Sequence, residues 1–313
     1  MESFLVAVNA VIPFLIYITF GYTLKIKKVL SEEFLQELNH AVFKVFFPFM
    51  TFYNIYKADA STLPSPVIMI FCGASILILE VILVLIVPRI VKENRRRGVI
   101  IQAIYRSNFV LFGLPLTISV FGEEASSVAA MVITVVITIY NTTSVVILEM
   151  FNGEGKTDVK NIITNVAKNP LLRGAVAGLV FFLLGIKLPA CVLKPIAAFS
   201  DMTSPLALFI LGGTLHFNAI RGNLRYLVPA LSFKLIMLPA IMLPIGYMLG
   251  IRGVELFLIL AVYATPVATA SYPMAQNMGG DGELAGQMVV ISTVASVGTL
   301  FLWIFLLNSI GVI

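Results

Sequence analysis

Charge is what this sequence has least of. Asp, Glu, Lys and Arg together make up 12% of its 313 residues, about half the share in a soluble domain. Cysteine is nearly absent as well: Cys72 and Cys191 each lie in or beside an apolar run, and their spacing fits neither a metal site nor a disulfide framework. The two histidines, His40 and His216, fall near the ends of apolar runs, and no His/Cys/carboxylate group has metal-ligand spacing. The aspartates are Asp59, Asp158, Asp201 and Asp281. All read as loop or span-end residues, so the paired acids of an intramembrane aspartyl protease are missing. No GxxxxGK[ST] phosphate loop occurs, so no ATP-driven pump is encoded here. The first apolar run, Phe4 to Leu24, lacks a basic leader and a small-residue cleavage site and reads as a retained helix. These absences point away from an enzyme, and no cofactor or metal is expected.

What is present is apolar surface: 59% of the residues, with a mean hydropathy of +1.00. This is the composition of an all-α integral membrane protein. Ten spans are read, at 4–24, 36–56, 66–88, 101–121, 125–149, 170–186, 192–215, 225–249, 254–277 and 284–308. The net charge of +5 sits in the short loops between them, so it reports orientation and not nucleic acid. Alternate loops carry fourteen basic residues on one side, in the groups Lys25–Lys28, Arg89–Arg97, Lys156–Arg173 and Arg221–Arg225. The other side has four: Lys57, Lys187, Lys194 and Arg252. The basic side is expected to be cytoplasmic, which places both termini outside a cell (inner) membrane. Five spans (residues 1–151) precede a polar linker (152–169) and five (170–313) follow it. An odd number per half turns the second half upside-down and predicts an inverted repeat.

Two of the spans look broken, at corresponding places. In span four, Asn108-Phe109-Val110-Leu111-Phe112-Gly113-Leu114-Pro115 contains the two residues a continuous helix tolerates least. Gly113 lies about 18 Å from Ile101, near mid-membrane. In span nine, Thr265-Pro266 to Tyr272-Pro273 places two prolines seven residues apart, with Thr269 and Ser271 between. Paired breaks in two halves are the best sequence pointer to a transport site. The half-helix N-termini there offer free N–H groups to an anion, most simply a carboxylate. The predicted substrate residues are Asn108, Gly113, Pro115, Thr265, Pro266, Thr269, Ser271, Tyr272 and Pro273.

Few charges lie deep in the runs. Glu80 in span three has Lys44 in span two as its expected partner, either as a proton-coupling pair that opens or as a static pair holding two helices. Lys234, in the span equivalent to that of Glu80, either faces the interior or snorkels to a surface, and Arg106 is expected to snorkel toward the basic side.

At these residues the chain resembles the auxin efflux carrier family in its shorter prokaryotic form. The resemblance covers the whole chain. It rests on Asn108 through Gly113-Leu114-Pro115, on Thr265-Pro266 to Tyr272-Pro273, and on Ile291-Ser292-Thr293 in the last span. Plant carriers of this family also have an asparagine seven residues before the crossover proline, and pair a lysine of the second span with an acid of the third. The resemblance implies the elevator-type fold shared with sodium–bile acid symporters. In that fold spans one, two, six and seven form a scaffold and the rest move as a transport domain. It also implies a homodimer carrying a small organic anion. The central loop is short and lacks the regulatory region of the plant carriers; bacterial relatives are linked to small carboxylates such as malate or malonate. The alternatives are a sodium-coupled organic anion symporter, whose site would need an acid near the breaks, and a ligand-binding membrane sensor.

Overall fold

A bilayer offers no water to exposed N–H and C=O groups, so an apolar run must satisfy its backbone within the segment. The computed structural model describes residues 2–57, 65–152, 159–216 and 219–312; Asp59, Lys156 and Asp158 lie outside them. Every regular element among the described residues is a helix. In chain order these are α1 (Glu2–Ile26), α2 (Glu32–Ala41), α3 (Phe47–Tyr56), α4 (Pro66–Ile90), α5 (Asn94–Tyr105), α6 (Phe109–Phe121), α7 (Ser126–Met150) and α8 (Val159–Lys168). They continue with α9 (Pro170–Leu183), α10 (Ala190–Thr214), α11 (Ile220–Ser232), α12 (Leu238–Met248), α13 (Gly253–Ala264), α14 (Ser271–Asn277) and α15 (Gly282–Ser309). π-helical turns at Val42–Phe46 and Phe233–Met237 join α2 to α3 and α11 to α12.

Five of the helices are long and apolar enough to cross a membrane unaided: Pro66–Ile90, Glu123–Met150, Ala190–Thr214, Ile220–Met248 and Gly282–Ser309. Ile162–Lys168 and Pro170–Leu183 would make a sixth span if taken together, bent by 63°. The chain is a multi-pass membrane protein. The predicted polar linker is not wholly loop, since α8 lies inside it. Asn169 ends the bend by accepting the Leu171 N–H at 2.9 Å, a side-chain cap that starts α9 at Pro170.

Helices of equal apolarity to lipid gain little by clustering, so close backbone approach has to hold them. Small residues permit it here. A Cβ on Gly212 of α10 would stand 2.0 Å from the Ile18 carbonyl oxygen of α1, and one on Gly21 would stand 1.9 Å from the Phe209 oxygen. Gly174 and Gly178 of α9 lie in the same way against Pro48 and Phe52 of α3. Polar ties act at the helix ends. Asp281 caps α15 through the Leu284 N–H at 3.0 Å and pairs with Arg96 of α5 at 2.9 Å. Glu32, at the start of α2, is exposed; a hydrogen bond from Lys25 holds its carboxyl below the usual range.

The expected Lys44–Glu80 pair does not form. Lys44 sits on the π turn with its side chain exposed, whereas Glu80 is buried in α4 and takes the Thr143 hydroxyl at 2.6 Å. Membership of neighbouring spans does not fix which face each residue occupies.

Candidate functional site

The two interruptions meet. Between α5 and α6 the chain leaves the helix for Arg106-Ser107-Asn108, and between α13 and α14 it does so for Thr265–Ala270. Ser107 and Val267 form an isolated antiparallel bridge. The Asn108 N–H donates to the Pro266 carbonyl at 2.8 Å, and the Ala268 N–H donates to the Arg106 carbonyl at 3.3 Å. The Ser292 hydroxyl oxygen of α15 accepts the Val267 N–H at 3.0 Å, and the Ser107 hydroxyl donates to the Val262 carbonyl. Each crossover thus satisfies backbone groups that the other's break has freed, which is what makes irregular backbone tolerable at this depth.

The first break falls earlier than the sequence suggested. Gly113 and Pro115 lie inside α6, which runs unbroken from Phe109 to Phe121. Pro115 is the seventh residue of that helix. It denies the Leu111 carbonyl a partner but does not end the helix. Gly113 serves packing: a Cβ there would stand 2.3 Å from the Phe109 ring. The second break is also narrower than expected. Ser271, Tyr272 and Pro273 form the first turn of α14, where proline's missing N–H costs nothing.

A cavity of about 390 Å³ opens against this crossover. Its walls come from both crossovers (Arg106, Ser107, Asn108, Ala268, Thr269, Ala270) and from the start of α6 (Val110, Leu111). Its lining also includes Phe14 and Tyr17 of α1, Asn54 of α3, Tyr140 and Asn141 of α7, and Ser200, Asp201 and Ser204 of α10; Asp201, read from the sequence as a loop or span-end residue, lies within α10. Asn108 is 5% exposed and precedes α6, yet its side chain makes no capping bond. Its Nδ2 is buried with no hydrogen-bond partner. Arg106 is 4% exposed. Its guanidinium donates to Asn141 Oδ1 at 2.7 Å and lies 2.6 Å from Met274 Sδ. The expectation that Arg106 snorkels to a surface is therefore wrong. Once the break moves to residues 106–108, Arg106 is part of the crossover itself and lines its cavity.

The other predicted residues divide. Thr269 lines the cavity. Thr265 is fully buried and turns its hydroxyl back to the Ala261 carbonyl at 2.7 Å, the local bonding expected of threonine near a helix end. Pro266 contributes its carbonyl to Asn108. Ser271 is buried with its hydroxyl unpartnered. Tyr272 faces a second cavity, of about 590 Å³, at the end of the molecule that carries Lys25, Glu32, His40 and His216. There its hydroxyl lies 2.7 Å from that of Thr214, tying α14 to the end of α10. Leu208 borders the first cavity and Thr214 the second, so about 9 Å of α10 separates the two.

Residues missed from the sequence lie behind the crossover. Thr143, Tyr105 and Ser144 join the predicted Glu80 in a buried chain of hydrogen bonds linking α4, α7 and α5, with Tyr105 Oη 2.7 Å from Ser144 Oγ. Ser75 of α4 meets Tyr263 of α13 at 2.6 Å. The repeated hydroxyls of α7, at Thr134, Thr138, Thr142 and Thr143, were the available signal.

Paired interrupted helices meeting at a polar cavity define a membrane transport protein, not an enzyme. A family model described as "Membrane transport protein" matches residues 6–304. The chain belongs to this family, the auxin efflux carrier family that its crossover motifs resemble. Two archaeal relatives are each 25% identical to it: an uncharacterized transporter of Methanothermobacter thermautotrophicus over 302 residues and one of Methanocaldococcus jannaschii over 309. Each alignment covers 96% of this chain and 98% of the relative.

Proposed function

We propose that this chain is a secondary carrier of a small organic anion, held at the crossover and exposed to the two sides of the membrane in turn. The observation that carries the reading is Asn108: a buried amide N–H donor with no partner, on a cavity wall, beside a buried guanidinium. A buried donor left unmade costs about 1–3 kcal/mol, and a carboxylate oxygen removes that cost. The N-terminal end of α6 adds favourable potential for the same charge.

The ten-span arrangement belongs to this proposal. Helices α5 and α6 have 12 and 13 residues, so each is about 18–20 Å long and too short for a hydrocarbon core of about 30 Å. Joined through the crossover they suffice, and α13 with α14 is treated likewise. Residues 1–151 and 170–313 then form the inverted repeat around the linker 152–169. The first cavity is lined by α1, α3 and α10 together with α7 and both crossovers, which suits a scaffold meeting a moving domain in a homodimeric elevator. The basic loops put both termini outside the inner membrane.

The test is uptake of mono- and dicarboxylates by the purified chain in liposomes, with thermal shift in detergent to report binding. Asn108→Ala is expected to weaken apparent affinity roughly 10- to 100-fold without lowering the ligand-free unfolding midpoint. Unchanged flux in that variant refutes the site.

Glu80 is the proton-coupling group in this reading, without Lys44. It makes no ion pair among the described residues, and Thr143 and Tyr105 face it from α7 and α5. Glu80→Gln, which keeps an acceptor for Thr143, should flatten the pH dependence of flux; a profile like that of the unaltered chain removes Glu80 from the coupling.

A further inference from the structure

Lys234 has no place in the site described so far, yet it touches it. It lies in the π turn Phe233–Met237 and is fully buried. It forms no ion pair among the described residues. Of the two readings open for it, the interior one describes it: its ammonium reaches inward and donates to Ser107 Oγ at 2.5 Å. Ser107 in turn donates to the carbonyl of Val262, near the end of α13. An isolated ammonium in a low-dielectric interior is costly unless something negative balances it.

What balances it is the pair of half-helix C-termini. The last carbonyls of a helix have no N–H of their own helix to accept, and that end carries partial negative charge. Helix α5 ends two residues before Ser107, and Val262 lies two residues before the end of α13. The crossover therefore separates charge: the start of α6 and Arg106 line the cavity, and the ends of α5 and α13 converge where Lys234 arrives. In carriers built on broken helices, exposed carbonyls of this kind coordinate Na⁺.

We propose that Lys234 is a tethered cation, occupying the carbonyl-rich side of the crossover in place of a sodium ion, so that the protein holds its crossover, and binds its anion, without sodium. The consequence for flux rests on the anion-carrier reading; the effect on the crossover does not. The amine is a positioning group, acting on the substrate only through Ser107 and the helix ends.

The test begins with the unaltered full-length chain in detergent, melted in sodium chloride and in choline chloride at equal ionic strength. The midpoints should coincide; a midpoint raised by sodium overturns the proposal, and this arm needs no variant to fold. Lys234→Met keeps the unbranched stem but not the ammonium, and should lower the midpoint and cut carboxylate flux in liposomes by about tenfold, as loss of a helix-end charge predicts. A Met variant equal to the unaltered chain in both overturns the proposal. Lys234→Ala should regain stability with propylammonium, which replaces the deleted atoms, and not with choline; a folded variant indifferent to propylammonium also overturns it. A chain that is indifferent to sodium yet moves no carboxylate refutes the carrier reading alone.

Discussion

Arg106→Gln is expected to abolish measurable carboxylate transport while the chain still folds. Arg106 is the one cation buried in the crossover segment itself, with a side chain 4% exposed and a guanidinium that lines the cavity. Removing one partner of a buried ion pair costs about 3–5 kcal/mol, or roughly two to three and a half orders of magnitude in affinity. Glutamine retains a donor for Asn141 Oδ1, now held at 2.7 Å by the guanidinium, but it brings no charge to the anion. Arg106→Lys separates charge from geometry. It keeps the cation, loses the planar fork and should fall between the two. Thermal shift with a saturating carboxylate measures the affinity, and the ligand-free midpoint shows whether the crossover survives. If Arg106→Gln binds and transports normally, the anion is not recognised by this guanidinium and the substrate class is wrong.

The coarse plan of the molecule was written in its composition. Low charge, long apolar runs and two interrupted segments predict helices that cross a membrane and two breaks that meet, and the Ser107–Val267 bridge joins those breaks. Asn108 and Pro266 were legible because each is conspicuous: an amide in an apolar run, and a proline inside a span. The exact position of the first break was not. Proline and glycine mark where a helix is weak, but they do not mark where it ends, and α6 absorbs both Gly113 and Pro115. The true break is the three residues Arg106–Asn108, none of them a helix breaker, and the extended segment at Pro266–Ala268 supplies its backbone partners. That displacement of about seven residues accounts for a second error. With the break placed at Gly113, Arg106 looked like an interface residue, whereas it stands in the crossover. The direction of Lys234 stayed open for a related reason, because its acceptor, Ser107, belongs to the segment that had been placed in a continuous helix. Lys44 and Glu80 failed differently. Sequence places residues on spans, but the face each occupies follows from packing, and the π turn at Val42–Phe46 leaves Lys44 exposed.

One chemical change, glycine to alanine, should have opposite effects at two positions. At Gly212 of α10 the added Cβ would lie 2.0 Å from the Ile18 carbonyl oxygen and 2.9 Å from its Cα. Both are backbone atoms, so no side-chain rotation relieves the contact, and α1 and α10 must separate. Gly21 makes the reciprocal approach to Phe209, so the two helices are locked from both sides and little relaxation is available. Gly212→Ala should therefore destabilise by about 3 kcal/mol, the upper end of ordinary overpacking. At Gly298, within α15, nothing lies within 4 Å of an added Cβ. There alanine restricts the unfolded chain and favours the helix, and should stabilise by about 0.5–1 kcal/mol. Unfolding midpoints of the two variants in one detergent provide the comparison, with lowering at residue 212 and raising at 298. A Gly212→Ala chain as stable as the original would mean that α1 and α10 are not in backbone contact. Because Phe14 and Tyr17 of α1 and Ser200 and Ser204 of α10 all line the first cavity, separating these helices should also reshape the site, so Gly212→Ala should weaken carboxylate binding even where the chain remains folded.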